Sequence, residues 1–155
     1  MSEDDDFPPA RGEGLDDEHQ AWLDKALAAG RALVARYTGS KGGGDLPTLA
    51  ALDQTYDAWR AAPAGERESV RALVDGLGAL LGAHLVNIDG FTWLVVKDDE
   101  GADVAVYGSA AEMLVYPFMY VRTHHEADQP LDAHEMVRDV ERRWKDLNEE
   151  LGGDL

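Results

Sequence analysis

The residues best equipped for chemistry lie in one stretch near the C-terminal end: His124, His125, Glu126, Asp128, Asp132, His134 and Glu135. Imidazole nitrogens and carboxylate oxygens are good ligands for zinc, manganese or iron, and two or three histidines with one acid would make a workable set. The spacing argues against such a site. His124 and His125 are adjacent, so on a helix their side chains diverge by about 100°. His134 falls in the first turn of the next helix, and Asp132 and Glu135 occupy the two positions of a capping box. Neither H-x-x-x-H nor H-E-x-x-H occurs. Polar residues beside a surface loop are the leading reading. A metal-dependent enzyme or sensor using His124, His125 and His134 is the alternative, and no cofactor is expected.

Other candidates are weaker. Gly39 to Gly44 enclose Lys41, but a phosphate-binding loop needs Lys and Ser or Thr directly after its last Gly, between a strand and a helix. Here Asp45 and Leu46 follow, and Asp45 would repel phosphate; the segment is a linker. Asp98, Asp99, Glu100 and Asp103 crowd one turn without the alternating register of a calcium loop. His84 sits on an apolar helix, where a hydrogen-bonded ring at the edge of the core is the ordinary role. Serines 2, 40, 69 and 109 lie in no nucleophile elbow. Trp22, Trp59, Trp93 and Trp144 fall one to each major element and read as core anchors, one of them free to serve an interface.

Composition narrows the function classes. The net charge is −17, and it is concentrated at the ends: residues 1–18 contribute −7, residues 126–155 contribute −6, and the body between them only −4. Such a chain disfavours nucleic-acid phosphates and anionic membranes as partners. A mimic of DNA would carry its carboxylates over the folded body instead. With no Cys there is no disulfide framework and no thiolate chemistry, which fits a reducing cytoplasm. The acidic start, Met1 to Asp6, is unlike a signal peptide, and no apolar run reaches bilayer length.

The elements that must position these residues follow from periodicity. Residues 1–14 read as a disordered acidic leader, and 15–152 as a single domain. A helix is predicted from Asp16 or Asp17 to about Tyr37, with Trp22, Leu23, Ala26, Leu27, Leu33 and Val34 on its apolar side. A second begins around Leu46-Pro47-Thr48 and ends before Pro63. A third runs from about Gly65 to Val86; Gly76, Gly78 and Gly82 each cost it roughly 1 kcal/mol against Ala. Gly78 and Gly82 lie one turn apart, making a notch into which another element could approach closely. Phe91 to Val96 and Ala102 to Tyr107 form a hairpin about the Asp98–Gly101 turn, and Met113 to Tyr116 a third strand. Phe118 to about Glu126 is a short helix. A last helix starts at the Asp132 cap, with Met136, Val137, Val140, Trp144, Leu147 and Leu151 as its stripe. The fold class is α+β: three N-terminal helices, a small antiparallel sheet, a short helix and a long C-terminal helix.

The order Leu77-Gly78-x-x-Leu81-Gly82, then Gly90-x-x-Trp93-x-Val95-Val96-x-Asp98-x-x-Gly101, then Val115-x-Pro117-Phe118-x-x-Val121 resembles a family of small bacterial domains of unknown function. The likeness spans about residues 77–122. It implies a fold and brings no catalytic residues with it. Residue types and resemblance together point to a non-enzymatic cytoplasmic domain working through protein contact. An immunity- or antitoxin-like binder of a basic partner is its sharpest form. Neither nucleic acid nor membrane is expected as a partner. Self-association through a sheet edge or the C-terminal stripe is open.

Overall fold

The computed structural model describes residues 14–39, 46–88, 90–99, 101–108 and 113–152, without the side chains of 98, 148 and 150–152. Residues 1–13 of the expected leader, the connection at 40–45 with Lys41, the turn residue Glu100, Ser109 and the side chain of Leu151 lie outside them. Helix α1 (Asp17–Thr38) starts where Asp16 accepts a hydrogen bond from the His19 amide at 2.8 Å. It stops at Gly39, whose φ of 76° needs a residue without a Cβ penalty. Helix α2 (Leu49–Ala61) is capped by the Thr48 side chain, so Pro47 precedes the helix and does not lie within its first turn.

Helix α3 (Val70–Val86) begins five residues later than periodicity predicts, with Ser69 as its cap. The intervening residues make a single 3-10 turn at Ala64–Glu66 and then an extended link. Non-local contacts hold that link open. The Arg67 guanidinium lies 4.0 Å over the Trp59 ring and donates to the carbonyls of Trp59 and Arg60, covering the end of α2. Glu68 accepts from Tyr37 Oη at 2.7 Å and from Arg36, while its own carbonyl accepts from Trp59 Nε1 at 3.0 Å.

Strands β1 (Phe91–Asp98), β2 (Gly101–Gly108) and β3 (Met113–Val115) pair antiparallel in the order β1-β2-β3. Register places Trp93 opposite Val106 and Val106 opposite Val115, on the face turned to the helices. The other face carries Leu94, Val96 and Ala105, also buried, flanked by Tyr107 and Leu114. Helix α4 (Pro117–Glu126) has Pro117 in its first position, where a missing N–H costs nothing. Helix α5 (Ala133–Gly152) follows, and Asp53 on α2 ties its start by accepting from the Ala133 amide at 3.0 Å. The fold is the expected α+β domain.

Helix α3 is the centre of the molecule, packing on α1, α2, α4, α5, β1 and β2. Its glycines make this possible, each toward a different neighbour. A Cβ on Gly76 would lie 3.0 Å from the Cα of Gly30 on α1. One on Gly78 would lie 2.9 Å from the Cα of Phe118 on α4, and one on Gly82 would lie 2.7 Å from Cζ2 of Trp93 on β1. The notch foreseen at Gly78 and Gly82 is therefore filled by two aromatic residues.

Candidate functional site

The two adjacent histidines turn apart. His125 faces α2: its Nδ1 is 3.4 Å from Tyr56 Oη, and its ring stands edge-on to Trp59 at 5.5 Å. His124 packs on its own helix and lines a groove with α5: its Nδ1 donates to the Tyr120 carbonyl at 2.9 Å, and its ring lies 4.1 Å from the Tyr120 ring. His134 is exposed in the first turn of α5. Among the described residues no three His, Asp or Glu side chains come together to hold a metal ion, so the histidine-centred metal reading has no support in the geometry. His84 donates Nε2–H to the Pro47 carbonyl at 2.7 Å and fixes the entry to α2.

The Asp132 cap forms, but half of the capping box is replaced. Asp132 Oδ1 accepts from the Glu135 amide at 3.0 Å. The Asp132 amide, which Glu135 would have served, donates instead to Tyr120 Oη at 3.0 Å. Tyr120 Oη donates in turn to the Asp132 carbonyl at 3.1 Å, stapling α4 to α5. Burial raises the Tyr120 phenol above its ordinary pKa. Glu135 is released to face Arg138 and Arg142, and Asp139 to face Arg142 and Arg143, in exposed pairs 3.3–3.9 Å long.

These residues form one wall of a groove. Its opposite wall is β3, which has β2 on one side and no strand on the other among the described residues. Leu114, Val115 and Tyr116 line the strand wall, and Tyr120 and His124 line the end. Asp132, Glu135, Met136, Asp139, Val140 and Arg143 line the helical wall, around a volume of about 490 Å³. Three of the seven residues that sequence singled out, His124, Asp132 and Glu135, thus meet here as lining rather than as ligands. Tyr120, Asp139 and Arg143 escaped notice. The signal for Asp139 was present, since acids at 132, 135 and 139 step by three and four along one helix side.

A second depression lies on the other side of α4, where Phe118, Met119 and Arg122 meet α1, α3 and β2 around about 370 Å³. Glu18, His19 and Asp103 also line it, and its members Arg71, Asp75 and Arg122 were likewise missed, because no local spacing links residues from two different helices.

A family model described as a domain of unknown function (DUF3806) matches residues 49–136. The match takes in α2, α3, the sheet, α4 and the start of α5, and encloses residues 77–122. A crystal structure from Bacteroides thetaiotaomicron superposes with a TM-score of 0.68 at 14% identity, over 90% of this chain and 50% of that one. This chain spans about half the length of that protein, and the likeness concerns the fold alone. A search of curated proteins finds no match. Among the described residues no helix is long and apolar enough to cross a membrane.

Proposed function

Because the chain belongs to the DUF3806 family of domains of unknown function, its role has to be argued from its own surface, and we propose a non-enzymatic domain that grips a basic, extended protein segment between β3 and α5. The observation that carries this reading is an acidic wall facing a strand edge that no other strand pairs among the described residues. An unpaired edge offers alternating N–H and C=O groups to an incoming strand, which gives affinity without sequence demands. Asp132, Glu135 and Asp139 supply the selectivity for Lys and Arg. Glu135 and Asp139 now pair with exposed arginines, and such pairs are worth about 0–1 kcal/mol, so exchange for an incoming cation costs little. The acid–base groups nearby are already committed: Tyr120 to Asp132, and His124 to a backbone carbonyl. A cytoplasmic immunity- or antitoxin-like pairing with a basic protein is the sharpest form of the proposal.

Calorimetric titration with Lys/Arg-rich extended peptides and with uncharged peptides of equal length tests it. Basic peptides bind, weaken as salt rises, and shift the amide resonances of Leu114 to Tyr116. Combining Glu135→Gln with Asp139→Lys lowers their affinity by tenfold or more, about 1.4 kcal/mol. Equal binding of uncharged peptides, or affinity indifferent to salt, would sink the reading.

A further inference from the structure

The second depression holds charges that the fold has left without partners. Asp75 projects from α3 and is half-buried, yet it makes no hydrogen bond or ion pair among the described residues. Arg71, one turn earlier on α3, and Arg122 on α4 line the same depression. They too are without hydrogen bonds or ion pairs among the described residues, although both are near enough for Asp75 to feel their charge. A half-buried carboxylate without a protein donor costs some stability, and Asp75, like the exposed Arg71 and Arg122, remains open to a ligand. Two guanidiniums and a carboxylate that stop short of pairing leave room for something to sit between them.

The apolar part of the depression points the same way. Trp22 and Phe118 form one wall with ring centroids 5.3 Å apart. Met119 is 53% exposed and Tyr116 39%, and both stand at the rim. Among the described residues only Val70 and Leu147 are comparably open large apolar side chains, so exposure is concentrated here. The volume of about 370 Å³ suits a small ligand.

We propose that this cleft binds a small zwitterion of the α-amino-acid type with an apolar or aromatic side chain. The ammonium gives Asp75 the donor it lacks, and the carboxylate gives Arg71 and Arg122 an acceptor that a planar guanidinium fork suits. The side chain lies against Trp22, Phe118 and Met119. A simple carboxylate would bring its charge to Asp75, and a simple amine would leave both arginines unserved. Specificity for the zwitterion therefore comes from the unpaired groups as much as from the contacts made.

The experiment is calorimetric titration of the full chain with L-phenylalanine and L-leucine, alongside phenethylamine and 3-phenylpropionate, which carry one charge each. At least one amino acid binds saturably, and the single-charge compounds bind at least tenfold more weakly. Asp75→Asn and Arg122→Gln each lose tenfold or more. Asp75→Asn keeps its fold, judged by circular dichroism and a melting temperature no lower than that of the parent. The groove variant with Glu135→Gln and Asp139→Lys binds the amino acid normally, which separates this site from the groove. No saturable binding at millimolar concentration, a single-charge compound binding as tightly as the amino acid, or undiminished binding by a folded Asp75→Asn protein would each overturn the assignment.

Discussion

Asp75 and Glu68 stand seven residues apart and titrate in opposite directions. Burial raises the Asp75 carboxyl above its ordinary pKa, and the fields of Arg71 and Arg122 only partly counter it. For Glu68 burial also pushes upward, but hydrogen bonds from Tyr37, its own amide and Arg36 outweigh it, so its carboxyl lies below the usual value. The signs follow by linkage. A raised carboxyl penalises the folded state fully above its folded pKa, and the penalty fades as pH falls through the carboxylate range. A depressed carboxyl contributes stability above its unfolded pKa and loses it on acidification. Asp75→Asn therefore raises the melting temperature at neutral pH, with the gain vanishing in acid. Glu68→Gln lowers stability at neutral pH by about 1–2 kcal/mol, the worth of hydrogen bonds to a charged acceptor, and the deficit shrinks as pH falls. Melting curves of both variants from pH 7 downward check the two trends; parallel curves for variant and parent would contradict them. Glu18, His19 and Asp103 also line the Asp75 depression.

At the level of elements, the glycines of α3 decide whether the helix can serve as a hub. Gly82→Ala gains roughly 1 kcal/mol of helix propensity but sets a methyl into the Trp93 ring. Overpacking of this kind costs about 1–3 kcal/mol, so the net effect in urea denaturation is a loss. Gly78→Ala loses more, because the methyl meets the Cα of Phe118 as well as its ring, and the backbone cannot swing away. Most elements were legible in the sequence because their determinants are local: the Asp16 and Asp132 caps, the helical steps in α1 and α5, and the alternation in the hairpin all speak within one turn of themselves. The start of α3 was not. Residues 65–69 carry a tolerable helical pattern, yet Arg67 and Glu68 are worth more to the fold reaching back to Trp59, Tyr37 and Arg36 than they would be in a helix. The second half of the capping box failed for the same reason, since Tyr120 from the preceding helix took the Asp132 amide.

For the whole molecule, the same division explains what could be seen of the candidate sites. The acids of the groove are visible as a helical stripe, and residues 126–155 form one of the two acidic ends of the chain. The facing wall is β3, whose edge, open among the described residues, follows from strand order rather than from any residue type. The cleft is harder still, because Arg71, Asp75, Arg122 and Trp22 come from three helices and nothing in the spacing joins them. Helix α3 underlies both surfaces, and its surroundings have a dynamic consequence. From Gly76 to Gly82 every residue is buried, and neighbours lie on all its sides. No local fluctuation can bring water to those amides without parting α1, α4 and the sheet together. Hydrogen–deuterium exchange should find these amides the slowest in the protein, opening at the free energy of global unfolding, while the exposed turn around Asp128 exchanges long before. Exchange of the Gly76–Gly82 segment at rates matching that turn would mean that the helix loosens on its own, and the glycine contacts would then be no more than close neighbours.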